Sequence, residues 1–169
     1  MDREEWFGDI TTHKMYCICR YMGLVEGYDT LGVFMYACAN GYIEVAKWLK
    51  NEVGLTREDA RVHGHNIAFY FACQYGQLEV AKWLKSEFGV TKEDARAWDN
   101  NAFRYACQYG HLKVAKWIYS EFGVTKEDVC AYDNSAFRWA CQYGHPEVAQ
   151  WLTEEFGITH KEAGCCSRD

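Results

Sequence analysis

Apolar positions recur along this chain with two periods at once. Within short windows they fall three and four residues apart, as on one face of a helix. Across windows the whole pattern returns. Its clearest copy is Tyr105-Ala106-Cys107-Gln108-Tyr109-Gly110-His111-Leu112-Lys113-Val114-Ala115-Lys116-Trp117-Ile118. Here Ala102, Phe103, Ala106 and Cys107 make the apolar face of a short helix over residues 101–109. Gly110 interrupts it. A second helix runs from His111 to about Phe122, with Leu112, Ala115, Ile118 and Phe122 on one face. Val114 and Trp117 widen that face, while Lys113 and Lys116 point away from it. So broad an apolar arc predicts neighbours on both sides. Gly123 ends the helix, as a residue tolerant of positive φ does at C′.

The Val-Ala pair of this pattern recurs at Val45, Val80, Val114 and Val148, in steps of 35, 34 and 34 residues. A fixed period in this range is the signature of a repeat array. Four units follow, at 30–64, 65–98, 99–132 and 133–166. Residues 1–29 fit the pattern poorly and are expected to form an N-terminal capping segment that covers the first unit. Between units come Thr56-Arg57-Glu58-Asp59, Thr91-Lys92-Glu93-Asp94 and Thr125-Lys126-Glu127-Asp128. Thr with an acid three positions later resembles a capping box, so a short helical turn is expected in each connection. Asp99-Asn100 and Asp133-Asn134 then turn the chain into the next unit.

The small pair followed by Gly-His-Leu-x-Val-x-Lys, as in Ala106-Cys107 and Gly110-His111-Leu112-Lys113-Val114-Ala115-Lys116, resembles ankyrin repeats. It returns in phase from Gly41, Gly76 and Gly144. The resemblance covers about residues 30–160. It implies an all-α, ankyrin-like helical repeat solenoid of helix-turn-helix units. Two departures stand out. The family's Thr-Pro-Leu-His tetrapeptide is replaced by Asn101-Ala102-Phe103-Arg104 and its counterparts. Its Gly-Ala-Asp-Val-Asn hairpin is replaced by Gly123-Val124-Thr125-Lys126-Glu127-Asp128, so helical turns are expected in place of β-hairpins. This variant is similar to ankyrin proteins of large DNA viruses and their protist hosts, which would make the partner a host protein. The tetratricopeptide pattern shares the period, but it puts helices of similar length on both sides of the turn.

Composition narrows the function. Apolar residues make up 49% and charged residues 25%, an ordinary globular balance, while aromatics reach 17%. The net charge of −6 supplies no basic surface for nucleic acid. No stretch has the length of a membrane span, and the charged start Met1-Asp2-Arg3-Glu4-Glu5 reads as no secretory leader. Cys38, Cys73, Cys107 and Cys141 share one repeat position, where a small buried hydrophobe fits. Reduced thiols and a cytoplasmic setting follow, with the nucleus left open. No metal ligand set is expected. Cys17 with Cys19, and His160 with Cys165 and Cys166, lack companions at zinc spacing. No cofactor loop or one-off catalytic cluster is visible, so no enzyme is expected.

Repetition separates scaffold from candidate site. Trp48, Trp83, Trp117 and Trp151 recur, and read as packing between units. Gln74-Tyr75, Gln108-Tyr109 and Gln142-Tyr143 end the first helix of three units, where the resemblance implies the lining of a concave face. They fit either a binding surface or a structural ladder. The position before the aromatic of the first helix (Tyr36, Phe71, Tyr105, Trp139) reads Met35, Tyr70, Arg104, Arg138. The two arginines suit a partner's carboxylate or phosphate, or an internal acid such as Asp99 or Asp133. The loop residues His63, Trp98 and Tyr132 vary. Trp98 fits a partner contact or packing over a neighbouring loop. The expected function is protein–protein recognition by a monomer through Tyr70, Gln74, Tyr75, Trp98, Arg104, Gln108, Tyr109, Tyr132, Arg138, Gln142 and Tyr143. The alternative is a structural or self-associating array.

Overall fold

The computed structural model describes residues 30–62 and 65–159. The expected capping segment over 1–29, His63, the cysteine pairs near both ends and the close of the fourth unit from 160 onward lie outside the described residues.

Each unit is a short inner helix, a tight turn and an outer helix. The inner helices are α1 (Thr30–Ala39), α3 (Ile67–Gln74), the second half of α6 (Ala97–Gln108) and the second half of α8 (Lys126–Gln142). The outer helices are α2 (Ile43–Val53), α4 (Leu78–Phe88), α7 (Leu112–Phe122) and α9 (Pro146–Phe156). Inner helices stack on one another in sequence order, and each packs on its own outer helix.

The core is the apolar pattern folded inward. Ala68, Phe69, Ala72 and Cys73 of α3 are fully buried, and so are their counterparts in α6 and, apart from Cys141, in α8. The inner phenylalanine of one unit meets the outer helix of the next. Phe34 lies 5.3 Å from Phe88 and 6.3 Å from Trp83. Phe69 lies 5.6 Å from Phe122 and 6.1 Å from Trp117. Phe103 lies 6.1 Å from Trp151. These tilted and edge-on rings carry the stacking of units. Cys38, Cys73 and Cys107 are unpaired and buried, and burial pushes their thiols far up, so they pack as small hydrophobes.

The turn between inner and outer helix explains its glycine. Gly41, Gly76 and Gly110 adopt φ of 77°, 76° and 77°, and the next unit lies directly on them. A Cβ at Gly76 would stand 2.5 Å from the His111 ring, and one at Gly110 would stand 2.4 Å from His145. Glycine is therefore required both for the backbone angle and for the close approach.

The connections hold the capping boxes. Thr91 and Asp94 close one around α5 (Lys92–Ala95), and Thr125 and Asp128 close another at the start of α8. Each aspartate also reaches back one unit. Asp94 accepts from Arg61, and Asp128 accepts from Arg96 and from Asn100 at 3.1 Å. Burial works to raise the Asp128 carboxyl, but hydrogen bonds from Thr125, Asn100 and Arg96 outweigh it and hold the group below its ordinary value.

The first connection differs from the other two. Thr56 and Asp59 bond as in the other boxes, but a two-residue antiparallel pair follows, β1 (Arg61–Val62) with β2 (His65–Asn66). The second and third connections carry helical turns there, then three left-handed residues each, Trp98-Asp99-Asn100 and Tyr132-Asp133-Asn134. The reason lies in spacing. Four residues separate Arg61 from Asn66, whereas three separate Arg96 from Asn100. The extra residue closes a minimal hairpin. The shorter loops turn through αL instead, which Asp and Asn tolerate and Trp and Tyr tolerate poorly.

Candidate functional site

The inner helices expose one face, and its chemistry is uniform. Their segments 30–39, 67–74, 101–108 and 135–142 contain no charged residue except Arg104 and Arg138. The outer helices all carry glutamates, and all but α9 carry lysines. Every exposed large hydrophobic among the described residues lies on an inner helix, its turn or a connecting loop: Tyr36, Tyr42, Tyr75, Trp98, Tyr109, Tyr132 and Tyr143. Among the described residues no outer helix exposes one.

Behind this row stand Phe71, Tyr105 and Trp139, partly buried at one repeat position. Tyr105 stacks on Tyr109 at 6.0 Å and touches Trp139 at 5.9 Å. Phe71 lies 6.4 Å from Tyr75. Tyr36, Phe71, Tyr105 and Trp139 were not singled out from sequence. An aromatic in every copy, opposite the Ala-Phe-Ala-Cys stripe, is the signal that marks them.

The Met35, Tyr70, Arg104, Arg138 position has a structural use. Tyr70 sits edge-on between Trp98 and Tyr105, 5.7 Å from each. Arg104 fills the same slot one unit on, 4.5 Å from the Tyr132 ring and 5.1 Å from Trp139. Its Nε donates to Ser135 Oγ at 3.0 Å and its Nη1 to the Asp99 carbonyl at 3.4 Å. A slot between two rings accepts either a third ring or a guanidinium.

This corrects several sequence expectations. Arg104 is 9% exposed; it is packing between units, and its partners are a hydroxyl and a carbonyl rather than an aspartate side chain. Tyr70 is half-buried filler, and burial together with the neighbouring Tyr105 pushes its phenol up to about 12. Gln108 is buried, and Gln74 is half-buried with its Oε1 unpaired. Tyr75, Trp98, Tyr109, Tyr132, Arg138, Gln142 and Tyr143 stay exposed. Arg138 pairs with Asp133 at 3.2 Å. The Tyr132 hydroxyl donates to the Asp99 carboxylate of the preceding loop, and that bond raises its pKa.

Among the described residues no cluster of His, Cys, Asp and Glu could hold a metal ion, and no helix is long and apolar enough to cross a membrane.

Stacked helix-turn-helix units with a glycine at each inner turn define a helical repeat solenoid. A family model described as ankyrin repeats (3 copies) matches residues 34–128 and again 69–162. The chain belongs to the ankyrin repeat family, whose members are generally non-catalytic protein–protein interaction modules. No curated protein matches it significantly.

Proposed function

We propose that the chain recognises a protein partner through its inner-helix face, as a monomer and without catalysis. The observation that supports this reading is the segregation of exposed rings. Each of the seven exposed large hydrophobics among the described residues lies on the inner helices, their turns or their loops. Tyrosine and tryptophan offer large contact area at low entropic cost, which is why they anchor interfaces. Stacked repeat units curve by a small rotation per unit, and we read the inner-helix side as the concave one. A surface ordered by stacking loses little further entropy on binding.

The test replaces Tyr75, Trp98 and Tyr109 together by alanine and compares partner capture with wild type and with Lys82→Ala/Lys113→Ala on the outer helices. The ring variant should weaken capture by about a hundredfold or more, as loss of interface anchors does, while the lysine variant captures normally. A folded ring variant that keeps every partner defeats the proposed face. Sedimentation of wild type should give one monomeric species.

A further inference from the structure

The connecting loops dispose of their charges unequally. Their basic residues lean onto the following unit. Arg57, Lys92 and Lys126 lie within 4 Å of where a Cβ would stand on Gly89, Gly123 and Gly157. Those glycines end the outer helices α4, α7 and α9, where the helix presents its negative carbonyl end. Arg61 and Arg96 are held by Asp94 and Asp128. Of the acids beside them, Asp99 accepts from Tyr132 and Asp133 pairs with Arg138, while no ion pair holds Glu58, Glu93 or Glu127 among the described residues. Glu58, Glu93 and Glu127 are exposed, as are Asp99 and Asp133 in the later loops. Backbone and threonine hydrogen bonds hold the Glu93 and Glu127 carboxyls below their ordinary value, so both are ionised. Beside a nearly uncharged aromatic floor stand three connections, 54–66, 89–100 and 123–134, with eight acids against five lysines and arginines, so together the loops carry net negative charge.

We propose that the segment docked on this face is basic and amphipathic, with an apolar stripe on the rings and Lys or Arg toward the loop acids. This rests on the reading of the inner-helix face as the docking surface. Charge complementarity selects the occupant. An acidic segment would meet these carboxylates, and of the two inner-helix cations Arg104 is buried and Arg138 is paired with Asp133. An uncharged one would leave the acids unmatched. The Arg104 slot shows that these rings accept a guanidinium, held between Tyr132 and Trp139.

A random peptide display library selected on the wild-type chain tests this. The enriched peptides are then measured against two variants: Tyr75→Ala/Tyr109→Ala for the rings and Glu93→Gln/Asp99→Asn/Asp133→Asn for the acids. Asparagine tolerates left-handed backbone, and its carbonyl can still accept from Tyr132 and Arg138. The enriched peptides should carry net positive charge. They should bind either variant about tenfold more weakly or worse, and weaken as salt rises from about 0.1 to about 0.5 M. Hydrogen-exchange footprinting of the wild-type complex locates the peptide without any substitution. Enriched peptides that are neutral or acidic but still need the rings overturn the basic assignment and leave the docking face standing. Peptides indifferent to the ring variant and footprinted elsewhere remove the docking face itself, and this inference with it.

Discussion

Inner and outer helices are built from the same period yet do opposite work. An outer helix such as α7 buries Val114, Ala115, Ile118 and Phe122 and covers its far side with charge. An inner helix such as α3 buries Ala68, Phe69, Ala72 and Cys73, and its far side is aromatic and amide. The outer surface is what a solvated helix needs. The inner surface is not, because rings left in water gain nothing for the fold. The difference teaches where function resides: the outer helices satisfy stability on both faces, and the inner helices satisfy it on one.

That contrast can be broken most severely from the core side. Phe103→Ala removes the ring that joins the third unit to Trp151 of the fourth. Loss of a buried aromatic costs about 3–5 kcal/mol, so denaturant unfolding should show a large fall in midpoint, with the last unit loosening first. A change below about 1 kcal/mol, far from the usual cost of such truncations, would mean that the inner rings do not carry the stacking.

A smaller effect is expected where the two helix types meet. Burial lowers the pKa of His111, opposed by the hydrogen bond to the Gln74 carbonyl and assisted by His145. A histidine held neutral in the fold takes a proton more readily when unfolded. Its stabilising effect is therefore complete above its ordinary value of 6.5 and is lost as pH falls below that, down to its depressed folded value. His111→Gln installs the residue found at Gln77 and should flatten this part of the stability profile. An unchanged profile from thermal melts across acid pH would refute the role.

The smallest effect belongs to the outer surface. Lys85 bridges to Glu121 at 2.9 Å, with both side chains over a third exposed. Screened surface pairs contribute about 0–1 kcal/mol, so Lys85→Ala should barely move the midpoint and should leave partner capture intact. Loss of capture would erase the division of labour between the two faces.

Much of this was legible in the chain. Residues that must pack on a neighbour recur in every copy, and recurrence exposed the Ala-Phe-Ala-Cys stripe, the tryptophan column and the threonine–aspartate boxes. Helix ends were legible because glycine and capping residues act locally. The candidate face was harder to read. Variation from copy to copy marked Tyr70 and Arg104 as available to a partner, yet both fill slots inside the array. Phe71, Tyr105 and Trp139 recur as an aromatic in every copy and were not singled out, yet they line the exposed face.

Sequence by itself determined the period, the two helices of each unit, the buried stripe and the capped connections. All depend on residues close together along the chain or on strict repetition. The tertiary structure decided which variable residues face outward. The slot around Arg104 is closed by Tyr132 and Trp139, from the next loop and the next inner helix, and spacing alone does not say that their rings converge. Nor does local propensity say that one added residue in the first connection folds into a hairpin while its counterparts turn through left-handed backbone. Both outcomes arise from how one unit sits on the next, which is a property of the stack rather than of any single copy.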